Sequence, residues 1–172
     1  AVRRGFPPSV FAELPRLFER AGNDAHGSIT AFYTVLAEDE DNTDPVAEET
    51  RSILDGHIVL SRKLGQAGHY PAIDVLASAS RVFTRVTSRE HQQAALRVRA
   101  LMAKHEEIRF LLQVGEYAPG SDALADDAIA AQPAIENLLR QRPDEASAFE
   151  DTIGQMQGFA ASSARSRDIQ VE

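Results

Sequence analysis

Cysteine is absent from the sequence. Disulfides, thiol catalysis and cysteine-ligated zinc are therefore excluded. Lysine is nearly absent. Of 18 basic residues only Lys63 and Lys104 are lysines. A phosphate-cradling loop requires a lysine directly before Ser or Thr. Lys63 is followed by Leu64 and Lys104 by His105, so neither belongs to one. There is no Gly-x-Gly-x-x-Gly turn and no Gly-x-Ser-x-Gly elbow either. Positive charge is scarce overall, with 26 acidic residues and a net charge of −8. That balance argues against a nucleic-acid-binding face and against a polybasic membrane patch. No apolar run approaches the ~18 residues of a membrane span, and the start lacks the apolar core of a signal peptide. The histidines at 26, 57, 69, 91 and 105 show no metal-ligand spacing, so each reads as structural or exposed.

What is present is a chain of 172 residues with 43% hydrophobic content. That is enough for one large or two small cores. Val10, Phe11, Leu14, Leu17 and Phe18 recur at helical spacing across residues 9–20, with Pro15 predicting a kink. Ser28–Leu36 is rich in β-branched and aromatic residues and predicts a strand covered on both faces. Residues 38–44 carry five carboxylates. A metal site is conceivable there, but without the glycine of a calcium loop a solvated acidic turn is the better reading. Asp44-Pro45 predicts a helix start, running to about Leu54. Short strands follow at His57–Ser61 and Ala72–Leu76, separated by a helical turn at 62–67 that Gly68 closes. This alternation predicts α/β layering with a largely parallel sheet.

Near Thr87 the pattern changes. Ser88 is a candidate N-cap for a long amphipathic helix to Val114, with Leu96, Leu101, His105, Ile108, Leu111 and Leu112 on its apolar face. Further helices are predicted at Asp126–Arg140, with Ile129, Ile135, Leu138 and Leu139 inward, and at Glu145–Phe159. The polar tail after Ala160 predicts a frayed end. The predicted organisation is thus residues 1–87, 88–160 and a flexible tail at 161–172. Spacing and composition alone supply no catalytic assignment.

Four blocks carry a resemblance: Arg4–Pro15, Gly27–Leu36, Leu54–Arg62 and Gly68–Asp74. In this order they resemble consecutive segments of the type III secretion and flagellar export ATPases, relatives of the catalytic subunits of rotary ATP synthases. The resemblance runs over about residues 3–150. Asp74–Val82 and Gly115–Asp122 look more like the injectisome branch than the flagellar one, although Ala79 and Phe83 depart from its usual residues.

The resemblance implies the C-terminal part of a RecA-like P-loop ATPase domain, followed by an all-α C-terminal helical domain. It implies an ATP hydrolase that energises protein export, releasing chaperones and unfolding substrates, with ATP and Mg2+ bound by the complete protein. Walker A, Walker B and the catalytic glutamate would lie upstream of the first block, so this chain alone is expected to be inactive. Arg81, ending Ala77–Arg81, matches the arginine finger. Tyr70 matches the aromatic that packs on adenine, and Phe149 resembles a second adenine-pocket aromatic. No metal ligand is carried over. Implied partners are further copies in a homohexamer, a stalk protein, chaperone–effector complexes and a membrane export gate, on the cytoplasmic face of the inner membrane. Glu116, Asp122, Asp126 and Asp127 fall where rotary relatives present an acidic tip to the stalk. The alternatives are a truncated, non-catalytic interaction or regulatory module, and the flagellar export paralogue.

Overall fold

The computed structural model describes residues 6–37 and 44–168, with side chains through residue 160. The chain forms two compact units that divide between His57 and Ile58.

In the first unit, α1 (Pro8–Phe18) starts with proline in its first turn, where no N–H is needed. It runs through Pro15 and closes with the Glu19 N–H on the Pro15 carbonyl at 2.9 Å. Phe18 is buried and meets Tyr33 edge-to-face at 4.8 Å. The strand expected at Ser28–Leu36 is almost entirely lost. Only β2 (Ser28–Ile29) pairs, antiparallel to β1 (Gly22–Asn23). Residues 30–37 are irregular, and Phe32 and Leu36 point outward at 88% and 89% exposure. The residue types suit a strand, but among the described residues no neighbour offers a ladder beyond those two positions. Asp44 caps α2 (Pro45–Ile53), its carboxylate accepting from the N–H groups of Val46 and Ala47 at 2.8 and 3.1 Å. The rest of the acidic run, 38–43, lies outside the described residues.

The second unit contains β3 from Ile58 on (β3 spans Gly56–Leu60), α3 (Arg62–Gln66) and β4 (Ile73–Ser80). β3 and β4 pair as a two-stranded sheet. β4 extends four residues beyond the expected end at Leu76. A short α4 (Phe83–Val86) leads to α5 (Arg89–Val114), α6 (Ala123–Leu139) and α7 (Phe149–Asp168). The Ser88 hydroxyl caps α5 at the His91 N–H, 3.2 Å away. At its other end Gly115 takes φ 73°, and the Glu116 N–H reaches back to the Leu111 carbonyl at 3.0 Å. Only glycine adopts that left-handed closure without penalty.

α5 packs against α6 and α7. The shared core comprises Val98, Leu101, Ala128 and Ile135, with Met102, Leu124, Met156 and Phe159 around it. The expected α5 face is out of phase at two positions. Leu96 and Leu111 are exposed, while Ala94, Val98, Leu101 and Ile108 form the buried seam. Steps of four, three and seven residues keep those four on one stripe, and small Ala94 admits a close neighbour. α6 begins three residues before the expected start because Asp122 caps it. α7 begins four residues later than expected and stays helical to Asp168, where a frayed tail was expected.

Candidate functional site

Arg81 directly follows the last residue of β4 and is exposed. The strand beneath it is held from two sides. The Ser78 hydroxyl accepts from the Val59 N–H of β3 at 3.0 Å and donates to the Asp74 carbonyl at 2.6 Å. The Asp74 carboxylate accepts from the Ala77 N–H at 2.9 Å. From α5, the Arg99 guanidinium donates to the carbonyls of Val75, Leu76 and Ser78, the last two at 3.0 and 3.4 Å. Nothing in the local sequence signals Arg99, because its acceptors are backbone atoms more than 20 positions upstream.

Tyr70 lies in the turn between Gly68, at φ 69°, and the cis Tyr70–Pro71 bond. Its carbonyl accepts from the Gln141 N–H at 3.0 Å. Next to it, buried His69 accepts on Nδ1 from the Arg140 guanidinium at 3.4 Å. The turn is thereby fixed to the end of α6, and the Tyr70 ring remains 58% exposed.

Phe149 opens α7 and is 67% exposed. Its ring meets His91 at 6.0 Å, and His91 meets Phe83 edge-to-face at 5.5 Å. Phe149 is thus linked through the His91 ring to Phe83, two positions after Arg81. Among the described residues, Tyr70 and Phe149 do not stack on one another. Both side chains remain largely exposed, and an exposed aromatic ring is of the kind that can pack on a planar base.

At the α5–α6 turn, three of the four candidate stalk-facing carboxylates have internal work. Asp122 accepts from the N–H groups of Leu124 and Ala125 at 2.8 and 3.2 Å and lies 3.3 Å from the Lys104 ammonium. The backbone N–H of Ala125, then Lys104, hold the Asp122 carboxyl below its usual range. Glu107 and Asp122 in turn push the Lys104 ammonium up. Asp126 accepts from the Tyr117 hydroxyl and the Gly120 N–H, both at 2.9 Å. Desolvation, with the Asp126 hydrogen bond added, raises the Tyr117 phenol. Asp127 pairs with Arg97 of α5. Among the described residues no three His, Asp or Glu side chains are grouped to hold a metal, and no helix is long and apolar enough to cross a membrane.

Residues 1–80 match the nucleotide-binding domain of the ATP synthase alpha/beta family, and residues 87–158 match the T3SS EscN ATPase C-terminal domain. The chain is 60% identical to the type 3 secretion system ATPase of Xanthomonas euvesicatoria over 88% of its length, covering 34% of that relative. It is 51% identical to the flagellum-specific ATP synthase of Salmonella typhimurium over 87% of its length, covering 33% of that protein. Among solved structures, the assembled ATPase EscN of enteropathogenic E. coli in complex with its central stalk EscO superposes with a TM-score of 0.82 at 46% identity. That match covers 92% of this chain and 37% of the EscN chain. The chain therefore spans about a third of the length of the relatives it matches.

Proposed function

The chain belongs to the type III secretion ATPases of the ATP synthase alpha/beta family, and from that premise we propose that it supplies the arginine finger and adenine-packing face of an export-energising ATP hydrolase. The observation that carries the reading is the tandem of an ATP-synthase-type nucleotide domain and a type III secretion ATPase C-terminal domain in one chain. The fold is that of the later part of a RecA-like domain followed by helices. The domains assigned in this reading are residues 1–87 and 88–160.

Arg81 is the finger in this reading. Phosphoryl transfer spreads negative charge over the γ-phosphate oxygens, and a planar guanidinium meets several of them at once. Its exposure at a strand end suits delivery to a neighbouring subunit's nucleotide, which requires a ring of copies, read here as a homohexamer. Tyr70 and Phe149 pack on the adenine of the subunit's own nucleotide. The residues described fit the base and the γ-phosphate end of ATP. Among the described residues no grouped ligand set for Mg2+ is present. The chain by itself should show no ATP turnover. The complete protein would work in the cytoplasm at the inner membrane, against a stalk, an export gate and chaperone–effector complexes. The superposition with EscN bound to its stalk supports the stalk assignment. With three carboxylates of the α5–α6 turn engaged internally, Glu116 is the acidic group left for that contact.

In the complete enzyme, Arg81→Ala should lower kcat by ~10³-fold or more, while ATP affinity stays within about twofold. Steady-state kinetics with equilibrium nucleotide binding checks this; unchanged turnover would remove the assignment. The similarity to the flagellar relative supports a second reading. Complementation separates the two, because an injectisome enzyme restores effector secretion and a flagellar one restores motility.

A further inference from the structure

β4 does not behave as a regular strand where it approaches Arg81. Successive carbonyls of an extended strand point to opposite sides. Here the adjacent carbonyls of Val75 and Leu76 both reach one guanidinium, that of Arg99, and the Ser78 carbonyl joins them. The bonds from Ala77 N–H and Ser78 Oγ back to Asp74 span the same bend. Departures of this kind re-aim the residue that follows. Arg99, on α5, satisfies three carbonyls of this segment. Its five donors in a rigid plane can serve three acceptors at once.

We propose that Arg99 is a positioning residue: by clamping the bent end of β4 to α5, it sets the direction in which Arg81 leaves the strand and ties that direction to the helical part of the chain. The proposal rests on the reading of Arg81 as the finger.

The test uses the complete, assembled enzyme with four variants: Arg99→Ala, Arg99→Lys, Arg81→Ala and the double Arg99→Ala/Arg81→Ala. Arg99→Ala should lower kcat by about 10- to 100-fold, the scale of a small misplacement at a reacting centre. Affinity for ADP should stay within about twofold, because the proposed base contacts, Tyr70 and Phe149, are elsewhere. Binding of ADP with aluminium fluoride, which mimics the transferring phosphoryl group, should weaken in Arg99→Ala and in Arg81→Ala. In the Arg81→Ala background, Arg99→Ala should cost nothing further in kcat, because residues acting through one another are not additive. Arg99→Lys should fall between wild type and Arg99→Ala, and it also serves if the alanine variant fails to fold. Independent, additive losses in the double variant would overturn the proposal, as would an unchanged kcat in both Arg99 variants. An Arg81→Ala enzyme with normal turnover would instead defeat the finger reading itself.

Discussion

Adenine recognition by an aromatic ring depends on the π face and not on the hydroxyl. Tyr70, proposed to pack on adenine, is 58% exposed and its backbone is held by Gln141. Tyr70→Phe should therefore leave the complete enzyme near wild type. Tyr70→Ala should raise KM for ATP by about tenfold with little change in kcat, the signature of lost uniform binding. Steady-state kinetics on the two variants decides it, and equal defects would point to the hydroxyl instead. Asp122 offers a pH test. Its carboxyl is held below the ordinary range by the Ala125 N–H and by Lys104. A depressed carboxylate favours the folded form above its unfolded pKa of about 3.9. That preference is lost as pH falls through the depressed value. Thermal melts of the chain between pH 2 and pH 6 should therefore drop less steeply for Asp122→Asn than for the wild type. Parallel curves would show that the Asp122 cap and its ion pair contribute nothing to acid sensitivity.

Helix α5 illustrates both what sequence patterning reveals and where it stops. Its ends were legible, because a capping serine and a terminal glycine act through their own backbone neighbours. Its buried stripe was legible only in part. Leucine attracts attention by size, yet Leu96 is 63% exposed while Ala94 is fully buried. Leu101, at 2% exposure, lies in the core shared with α6 and α7. Leu101→Ala should therefore cost about 2–5 kcal/mol by removing contacts and leaving a cavity. Leu96→Ala should stay within about 0.5 kcal/mol, as surface changes do. Chemical denaturation of the two variants measures both. The same limit governs the site. Arg81 and Tyr70 are proposed on the resemblance of their segments to a family, not on spacing. Arg99 escaped because a side chain that binds carbonyls leaves no motif. The Ser28–Leu36 strand failed for a related reason: a strand is completed by its neighbours, and residue types alone do not supply them.

The buried core is distributed unevenly over the chain. Val98, Leu101, Ala128 and Ile135 form one cluster in the second unit, whereas the buried apolar side chains described in the first are Phe18 and Ala47. Phe32 and Leu36 stand almost fully exposed on a segment whose backbone has no ladder. Apolar side chains next to unpaired backbone groups invite strand addition from another molecule. Stability should follow the same division, because local opening is easiest where few apolar contacts hold the chain. In hydrogen exchange on the isolated chain, the α5 amides around Leu101 should be the slowest. The amides of residues 30–37 should exchange at least about 100-fold faster. A polypeptide ending at residue 87 should associate, since it contains the exposed segment and lacks the helical core. A monodisperse, cooperatively melting sample of it would contradict this. In the full 172-residue chain, Phe32→Ser with Leu36→Ser should reduce self-association measured by sedimentation, while Leu96→Ser, equally apolar in origin but set on a fully hydrogen-bonded helix, should not. If all three substitutions acted alike, exposed hydrophobicity alone would be the cause. The contrast between them isolates the unpaired backbone, which in a complete nucleotide domain would pair with neighbouring strands. In the complete enzyme, residues 30–37 should then become protected from exchange.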